Sequence, residues 1–501
     1  MSNPRRYFVT KSAAMVALFS TGMAKVPDAR ASTRNSDALP PPDPDTLTLN
    51  RCTFGVSNEL IGEMQRRGRE NWLERQMDWE SIDDRETNDF LHRQTPTVFM
   101  SAKELAALPN RGQAANELKQ ATVYRAMYSN RQLYEVMVEF WSNHFSIYHR
   151  DGPVTLLKTL DDRNVIRPHA LGSFRDLLHA SSKSPAMLVY LDNHTNVAGT
   201  PNENYARELM ELHTLGVDGG YTETDVQEVA RCFTGWAVGR RGSGNMGNFQ
   251  FYPRLHDQGE KTVLGTAIPA NGGIRDGEQV IDMLAGHPST ARFISTKLAR
   301  HFVADEPPQA LVDRLARIFL DTDGDIRSLL REIFLSDEFL RSADQKLKRP
   351  MEYIISALRS TRASPGPQAY RGVRQYLFAL GQIPFDWVPP DGYPDVAGYW
   401  TSTNGLLNRW NFASALAGSR LPGIRLDYLA LIGRNWRPGA LVDHLAARLL
   451  HRPLLDDDRR SFIGYLASDK SATKRLPVEI VEERVPGLIG LMLSSDYFQY
   501  R

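Results

Sequence analysis

The sequence predicts a mainly α-helical protein, built as one large multi-helix assembly with a small β insertion. Its hydrophobic share of 42% and charged share of 24% are typical of globular domains. A length of 501 residues allows two or three ordinary domains or one large helical one. From about Thr46 onward, apolar residues recur mostly with helical spacing, and clear non-helical stretches are few.

Local chemistry predicts where three of the helices begin. Thr222 and Asp225 resemble a capping box in which Asp replaces the usual Glu. Pro288 stands near a first helical position, where its missing N–H costs nothing. Asp325 is expected to cap the next helix rather than to bind calcium, because an EF-hand loop requires Gly where Ile326 stands.

Two stretches interrupt the helical pattern. Residues 239–265 are Gly-rich and then alternate in polarity, which predicts a short β-hairpin or ordered loop. Residues 362–368, "RASPGPQ", predict a joint between a main helical domain at 46–361 and a C-terminal helical part at 362–501 that packs on it.

The N-terminus has the features of an export signal. Arg5 and Arg6 precede a short apolar run, and Ala29-Arg30-Ala31 fits a small-x-small cleavage site. Residues 1–31 are therefore interpreted as a twin-arginine signal peptide, with an uncleaved membrane anchor as the alternative. Residues 32–45 are Pro-rich and predict a disordered spacer.

Charge and cysteine content limit the classes of function. The chain holds 60 basic and 59 acidic residues, so that no basic excess supports nucleic-acid binding. No later segment predicts a membrane span, and the expected location is the periplasm or the exterior. Cys52 and Cys232 could form one disulfide, although two buried free thiols are the simpler interpretation.

The segment 203–215 concentrates the polar groups that could do chemistry. On a helical wheel, one face carries Asn204, Arg207, Glu208 and Glu211, whereas apolar residues and His213 take the other. Ion pairs four residues apart would explain this face as an ordinary solvated surface. If the face turns inward, the two glutamates could serve as acid, base or metal ligands.

A second segment, 134–149, predicts a helix that is buried on most sides. His144 stands on its apolar face, where a hydrogen-bonded core histidine is the simpler interpretation than a base or ligand. Its polar strip, which includes Glu135, needs a buried partner, and the 203–215 helix is one candidate. A basic face on 291–300 could neutralise those glutamates or bind an anionic substrate.

The remaining site candidates lie elsewhere in the chain. His256 and Asp257 stand together on a predicted loop, where such a pair can be a base with its orienting acid, a metal site or a structural tether. Asp192 is a further candidate helper group.

Several motifs together resemble the bacterial family known as domain of unknown function 1800 (DUF 1800). The resemblance covers about residue 46 to the end, and Cys52 and Cys232 replace residues that are usually apolar. It implies helical architecture, export, and a partner protein that is itself exported and encoded nearby, but it assigns no reaction. The motifs are "NRCTFG" (50–55), "FWSNHFS" (140–146), "IRPHALGSFRDLL" (166–178), "PAMLVYLDN" (185–193), "NENYARELMELHTLGV" (202–217), "YTETDVQEVARCFTGW" (221–236), "HDQGEKTVLG" (256–265), "HPSTARFISTKLARHFV" (287–303), "SDEFL" (336–340) and "LLNRWNFASALA" (406–417).

Two hypotheses of function remain open at the level of sequence. The first is an extracytoplasmic hydrolase, with or without a metal ion, whose catalytic groups are Asn204, Arg207, Glu208, Glu211, His144, Asp192, His256 and Asp257. The second is a non-catalytic scaffold or partner-binding protein in which the same polar residues form a structural network. The sequence assigns no cofactor, metal or oligomeric state.

Overall fold

The computed structural model describes residues 38–150, 152–239, 247–366, 368–467 and 474–501. The predicted signal peptide at 1–31 lies outside these residues, as does the spacer up to residue 37. The predicted disorder of the spacer does not extend to residue 45, because Asp43 caps helix Pro44–Cys52, which begins within it. The chain divides into two compact units. The first comprises Met1–Arg69, Leu340–Gly381 and Val396–Arg501, and the second comprises Glu70–Phe339 and Gln382–Asp395. The predicted joint at 362–368 stays a prediction.

The described part of the first unit is mainly helical and contains one short strand pair, in which Ser364–Pro365 lies antiparallel to Ile424–Arg425. Helix Val478–Ser494 packs along helix Thr403–Ala417 and buries Leu488 and Met492. Its helices are Pro44–Cys52, Asn58–Arg67, Pro350–Ser360, Ala369–Ala379, Ala397–Trp400, Thr403–Ala417, Tyr428–Ile432, Pro438–Leu445, the π-helical turn Ala446–Leu450, Asp456–Ala467, Val478–Ser494 and Asp496–Gln499.

The second unit is also mainly helical. Its α-helices are Arg69–Met77, Arg85–Gln94, Ala102–Ala106, Gly112–Tyr128, Gln132–His144, Val154–Asp161, Arg167–His169, Phe174–Ser182, Pro185–Tyr190, Asn204–Glu208, Glu223–Cys232, Ile274–Ala285, Pro288–Phe302, Gln309–Asp321, Ile326–Leu335 and Asp337–Leu340. Its π-helical turns are Asp162–Ile166 and Leu209–Thr214, and its 3₁₀ turns are Trp79–Ser81, Pro96–Phe99, Asn193–Thr195 and Pro253–Leu255.

The predicted β insertion is present as two antiparallel pairs in the second unit. Trp236–Val238 pairs with Phe249–Phe251, and Lys261–Val263 pairs with Thr266–Ile268. The fold class predicted from sequence, mainly α with a small β-hairpin insertion, is therefore confirmed. Among the helices of the described residues, none combines the length and apolar character that crossing a bilayer requires.

The structure contains the three predicted helix starts and shows both cysteines as free thiols. The Thr222–Asp225 capping box is complete, and Pro288 stands at the start of its helix. The Asp325 carboxylate accepts the backbone N–H of Ser328, and so caps its helix as expected. Both Cys52 and Cys232 are buried free thiols, which confirms the simpler interpretation.

Candidate functional site

The candidate helix begins as an α-helix at Asn204–Glu208 and continues as a π-helical turn at Leu209–Thr214. His213 is buried, as the helical wheel predicts, but Thr214 is buried too, although the wheel places it on the polar face. The Thr214 hydroxyl donates to the carbonyl oxygen of Leu209, five residues earlier, at 2.7 Å. The π turn thus shifts the phase of the helix after Glu208.

The polar face of this helix separates into paired and unpaired groups. Arg207 donates to both carboxylate oxygens of Glu223, at 2.8 and 2.7 Å, and also contacts Glu203 at 3.3 Å. Asn204 is exposed. Glu208 and Glu211 are half-buried, and their carboxylates accept no hydrogen bond from any residue that the structure describes. Two carboxylates on this helix are therefore not engaged in hydrogen bonds with the described residues, and they are candidates for proton transfer.

His144 lies at the end of helix Gln132–His144 and is 1% exposed. Its Nε2 donates to the carbonyl oxygen of His213 at 3.1 Å, and its Nδ1 has no hydrogen-bond partner. The centroids of the two imidazole rings are 6.0 Å apart, and the Nε2 of His213 is likewise buried without a partner. Buried polar atoms are normally hydrogen-bonded, so an unused nitrogen on each of these two neighbouring rings makes them candidates for a site.

Lys297 brings a cation to these imidazoles from helix Pro288–Phe302, which packs on the π turn. Its half-buried ammonium lies 5.4 Å from the centre of the Phe293 ring and forms no ion pair within the described residues. Its charge acts on both His144 and His213. One helical turn later, the Nδ1 of His301 donates to Asp395 at 2.6 Å, while its Nε2 is buried without a partner.

The segment Gln382–Asp395 contributes the acidic groups that face Lys297. The Asn143 side chain holds it in place, because its amide donates to the carbonyl oxygen of Tyr393 at 2.9 Å and its Oδ1 accepts the Tyr393 N–H at 2.7 Å. Gly392 has a φ of 78°, and a Cβ there would overlap the Asn143 carbonyl oxygen. Only glycine fits such a position. The close packing of Gly392 against Asn143 therefore fixes the position of the neighbouring residue, Asp391.

We call His144, Glu208, His213, Lys297 and Asp391 the acid–base cluster. Burial, and then the charge of Glu211, raises the pKa of Glu208 above its usual value. Burial, followed by the Arg300 charge, lowers the pKa of Lys297 to about 8, and the charges of Asp395 and then Asp391 oppose that shift. Asp391 also acts on Glu208, so that its charge influences the pKa of both groups.

Burial and the charge of Lys297 also keep the two imidazoles neutral. Burial lowers the pKa of His144 well below its usual value, and it lowers the pKa of His213 to about 3. A neutral imidazole carries one N–H donor and one acceptor nitrogen. Because His144 donates through Nε2, its unpartnered Nδ1 is left as a hydrogen-bond acceptor in the protein interior.

His256 lies in a separate, fully bonded network. Its Nδ1 is 2.8 Å from the carbonyl oxygen of Thr234, and its Nε2 is 3.1 Å from Asp276. Lys261 donates to the same Asp276 oxygen at 2.6 Å, and the side chains of His256, Lys261 and Asp276 are almost completely inaccessible. With no free nitrogen and no access, this network acts as a tether between the hairpin and helix Ile274–Ala285.

The structure does not bring Asp257 or Asp192 to the acid–base cluster either. Arg231 donates to Asp257 at 2.8 Å and also to Glu228, and the Arg231 guanidinium holds the pKa of the Asp257 carboxyl at about 2. Asp192 is exposed, in a left-handed conformation with φ 62°, before a 3₁₀ turn. Of the sequence candidates, only His144 and Glu208 belong to the cluster, with Arg207 and Glu211 beside it.

Two further expectations about partners differ from the structure. The buried partner of Glu135 is Arg167, which donates to both carboxylate oxygens at 3.0 and 2.9 Å, and not the 203–215 helix. On the basic face of 291–300, Arg292 pairs with Asp313 at 2.9 Å instead of neutralising the glutamates.

The sequence placed Lys297 only on a basic face and did not single out His301, Asp391 or Asp395. Lys297 and His301 stand four residues apart, and that spacing could have indicated a shared helix face. Asp391 and Asp395 follow no such spacing, because only the tertiary fold returns their segment to the site. Within the described residues, no group of three or more His, Cys, Asp or Glu side chains is placed to hold a metal ion.

The fold and the site define a mainly helical protein with a cluster of carboxylate, amine and neutral imidazole groups. The chain belongs to the family described as "Protein of unknown function (DUF1800)", whose family model matches residues 47–500. This match confirms the resemblance drawn from the motifs. Neither the curated proteins nor the solved structures include one that matches this chain.

Proposed function

We propose that this protein is a hydrolase that uses the acid–base cluster for proton transfer. The observation that carries the proposal is that Glu208 and Lys297 are both half-buried and have no hydrogen-bond or ion-pair partner among the described residues. In addition, Glu208 has a raised pKa and Lys297 a lowered one. A carboxylate becomes a stronger base when its pKa rises, and an ammonium a stronger acid when its pKa falls. Groups whose environments shift their pKa values in opposite directions are typical of acid and base assignments.

In this mechanism Glu208 is the general base and Lys297 is the general acid. Glu208 takes a proton from the attacking water, while the Lys297 ammonium donates a proton to the leaving group. Both groups are half-buried and so remain in reach of solvent, whereas His144 is buried.

The test is turnover of chromogenic p-nitrophenyl esters, phosphates and glycosides by the purified protein. We expect Glu208→Gln to lower kcat by about 10²–10⁴-fold with Tm little changed, since general base catalysis supplies about that factor. Glu203→Gln is the matched control, because it makes the same change on the same helix, where Glu203 pairs with Arg207 outside the cluster. Equal rates for the parent and Glu208→Gln, or no turnover of any probe, would contradict the proposal.

The second candidate function is a non-catalytic scaffold or partner-binding protein. It is favoured by the bonded state of Arg207, His256 and Asp257, which lie in networks that need no substrate. The same variants separate the two functions. A scaffold predicts that Glu208→Gln and Glu211→Gln lower Tm and weaken association with a partner, without any turnover to lose.

We also propose that the chain is exported through the twin-arginine route and works with a partner that is itself exported. Arg5, Arg6 and the cleavage pattern at Ala29-Arg30-Ala31 support this location. Twin-arginine export carries folded proteins, which suits a site whose groups come from distant parts of the chain.

A further inference from the structure

Two stretches of the first unit contain basic residues but no acidic ones. Residues 353–381 and 396–426 hold no aspartate or glutamate, although the whole chain is nearly balanced, with 60 basic and 59 acidic residues. Their arginines are Arg359, Arg362, Arg371, Arg374, Arg409, Arg420 and Arg425. The two stretches form helices Ala369–Ala379 and Thr403–Ala417, which pack on each other. A surface built from them concentrates positive charge.

Helix Ala369–Ala379 carries two of these arginines on its solvent face. Arg371 and Arg374 lie about 60° apart on a helical wheel, with Phe378 between them, and all three side chains are exposed. The opposite side of the helix buries Val373 and Leu377. Neither of the two guanidiniums forms a hydrogen bond or an ion pair within the described part of the chain. Their charge is therefore available to a partner.

Two further arginines flank this helix. The segment that carries them packs tightly on the helix, because a Cβ on Gly372 would lie 2.9 Å from the carbonyl oxygen of Pro422. Arg420 and Arg425 are exposed on either side of this contact, and neither pairs with a carboxylate of the described residues. The next acidic residue in the chain, Asp427, uses its carboxylate to cap its own helix. The positive charge thus extends beyond one helix.

Exposed apolar groups lie among these charges. Phe378 is 74% exposed, the highest value for any large hydrophobic residue that the structure describes. Leu407 is 37% exposed and lies near the end of the same helix, because the amide of Asn408 donates to the carbonyl oxygen of Ala379 at 3.2 Å. Both side chains would gain free energy by entering an apolar phase. We call Arg371, Arg374, Phe378, Leu407, Arg420 and Arg425 the Arg–Phe face.

We propose that the Arg–Phe face binds the surface of an anionic phospholipid membrane. Guanidiniums match the geometry of phosphate groups, and each basic residue near an anionic bilayer adds to the attraction. The Phe378 ring enters the boundary between headgroups and acyl chains, where aromatic side chains of interfacial helices lie. A fluid bilayer accepts a protruding ring, whereas a protein partner would need a pocket shaped for it. The face belongs to the first unit, and the proposal is independent of the hydrolase activity.

Co-sedimentation of the purified full chain with lipid vesicles tests this proposal. We expect binding to vesicles made of equal parts phosphatidylglycerol and phosphatidylcholine, and much weaker binding to phosphatidylcholine alone. High salt should release the chain, because salt screens the attraction between exposed charges. An absence of binding to the anionic vesicles, or equal binding to both kinds, overturns the proposal.

Two variants separate insertion of the ring from attraction of the charge. Phe378→Ala should weaken binding to the anionic vesicles about tenfold or more, because burial of a Phe side chain contributes about that much. The double variant Arg371→Gln, Arg374→Gln should weaken it by about tenfold or more as well. Tm should stay the same in both variants, since the side chains are exposed. An acidic protein surface would need the charges alone, so full binding by Phe378→Ala overturns the membrane as the partner.

The matched control is the double variant Arg317→Gln, Leu320→Ala on helix Gln309–Asp321. Both of these residues are exposed, and Leu320 is 43% exposed, but Asp313 and Asp321 stand on the same helix. The control carries the same N-terminus as the parent and should bind the vesicles equally well. An equal loss of binding in the control overturns the assignment to the Arg–Phe face.

An environment-sensitive dye at position 378 reports insertion directly. Cys52 and Cys232 are buried, so a thiol-reactive dye labels the new side chain of Phe378→Cys. Its emission should shift to shorter wavelength on anionic vesicles, whereas the same dye on Leu320→Cys should show no shift. An unchanged emission at position 378 in the presence of anionic vesicles overturns the proposal.

Discussion

Lys297 carries its charge where a lysine is seldom found, half-buried beside two neutral imidazoles and without an ion pair among the described residues. Sequence reasoning identified Lys297 only as part of a basic face, because a helical wheel gives direction but not the identity of the neighbours. It identified Glu208 and His144 from their unusual settings, an acidic face without Lys and an imidazole on an apolar face. The desolvation that changes the pKa of each group depends on atoms from four separate segments.

Replacing Lys297 with Met should stabilise the fold while removing activity. Burial lowers the pKa of Lys297 to about 8 in the folded chain, against an ordinary 10.5. Between pH 8 and 10.5 the unfolded chain binds more protons than the folded one, so the parent gains stability as pH rises there. Below pH 8 the full cost of the ammonium is present, and Lys297→Met should raise Tm at pH 7 by about 2–4 °C.

Thermal unfolding of both proteins at pH 7 and pH 10 measures this effect. The advantage of Lys297→Met in Tm should shrink at pH 10, where the parent lysine is largely neutral in the fold. A lower Tm for Lys297→Met at pH 7 would instead show that Lys297 is a structural ion-pair partner.

At the scale of elements, the residues at which helices begin can be predicted from local hydrogen bonds. The π-helical turns that interrupt a helix cannot be predicted in this way. The caps at Thr222 and Asp325 were predicted because the bonds that form them lie within one turn. The π turn at Leu209–Thr214 was missed, since an extra residue in a turn has no sequence signature and is stabilised by packing. The other two π-helical turns of the described residues adjoin buried charged or imidazole groups, Asp162 and His451.

The network around His256 should prove structural when it is broken. Asp276→Asn leaves the buried ammonium of Lys261 without its carboxylate, and such a loss costs about 3–5 kcal/mol. Asp257→Asn, in which a partly exposed pair with Arg231 is weakened, should cost about 1 kcal/mol or less. Urea unfolding measures both values. Equal costs for the two variants would contradict the tether between the hairpin and its helix.

At the scale of the whole molecule, each unit is assembled from segments that are far apart in the chain. The segment Gln382–Asp395 belongs to the second unit, although the chain on either side of it belongs to the first. The proposed export of the folded protein suits such a chain, because the site forms only after the later segment has been made and folded.

Substitution of Lys for both Arg5 and Arg6 should block export if the leader uses the twin-arginine route. The conservative change keeps the positive charge, so a general secretory signal would tolerate it. We expect the full-length precursor to accumulate in the cytoplasm, as seen by cell fractionation and immunoblotting. Replacement of Lys11 and Lys25 with Arg is the control, and equal export of both variants would contradict the route.

The sequence by itself determined the helical class, the β insertion near 239–265, the helix caps and the family, because these depend on periodicity, local hydrogen bonds and motif order. Only the tertiary structure decided which polar groups meet. It brought the charge of Asp391 to act on both Glu208 and Lys297, and it separated His256 and Asp257 into saturated networks. The physical reason is that desolvation and pairing act through space, between residues whose positions in the chain are unrelated.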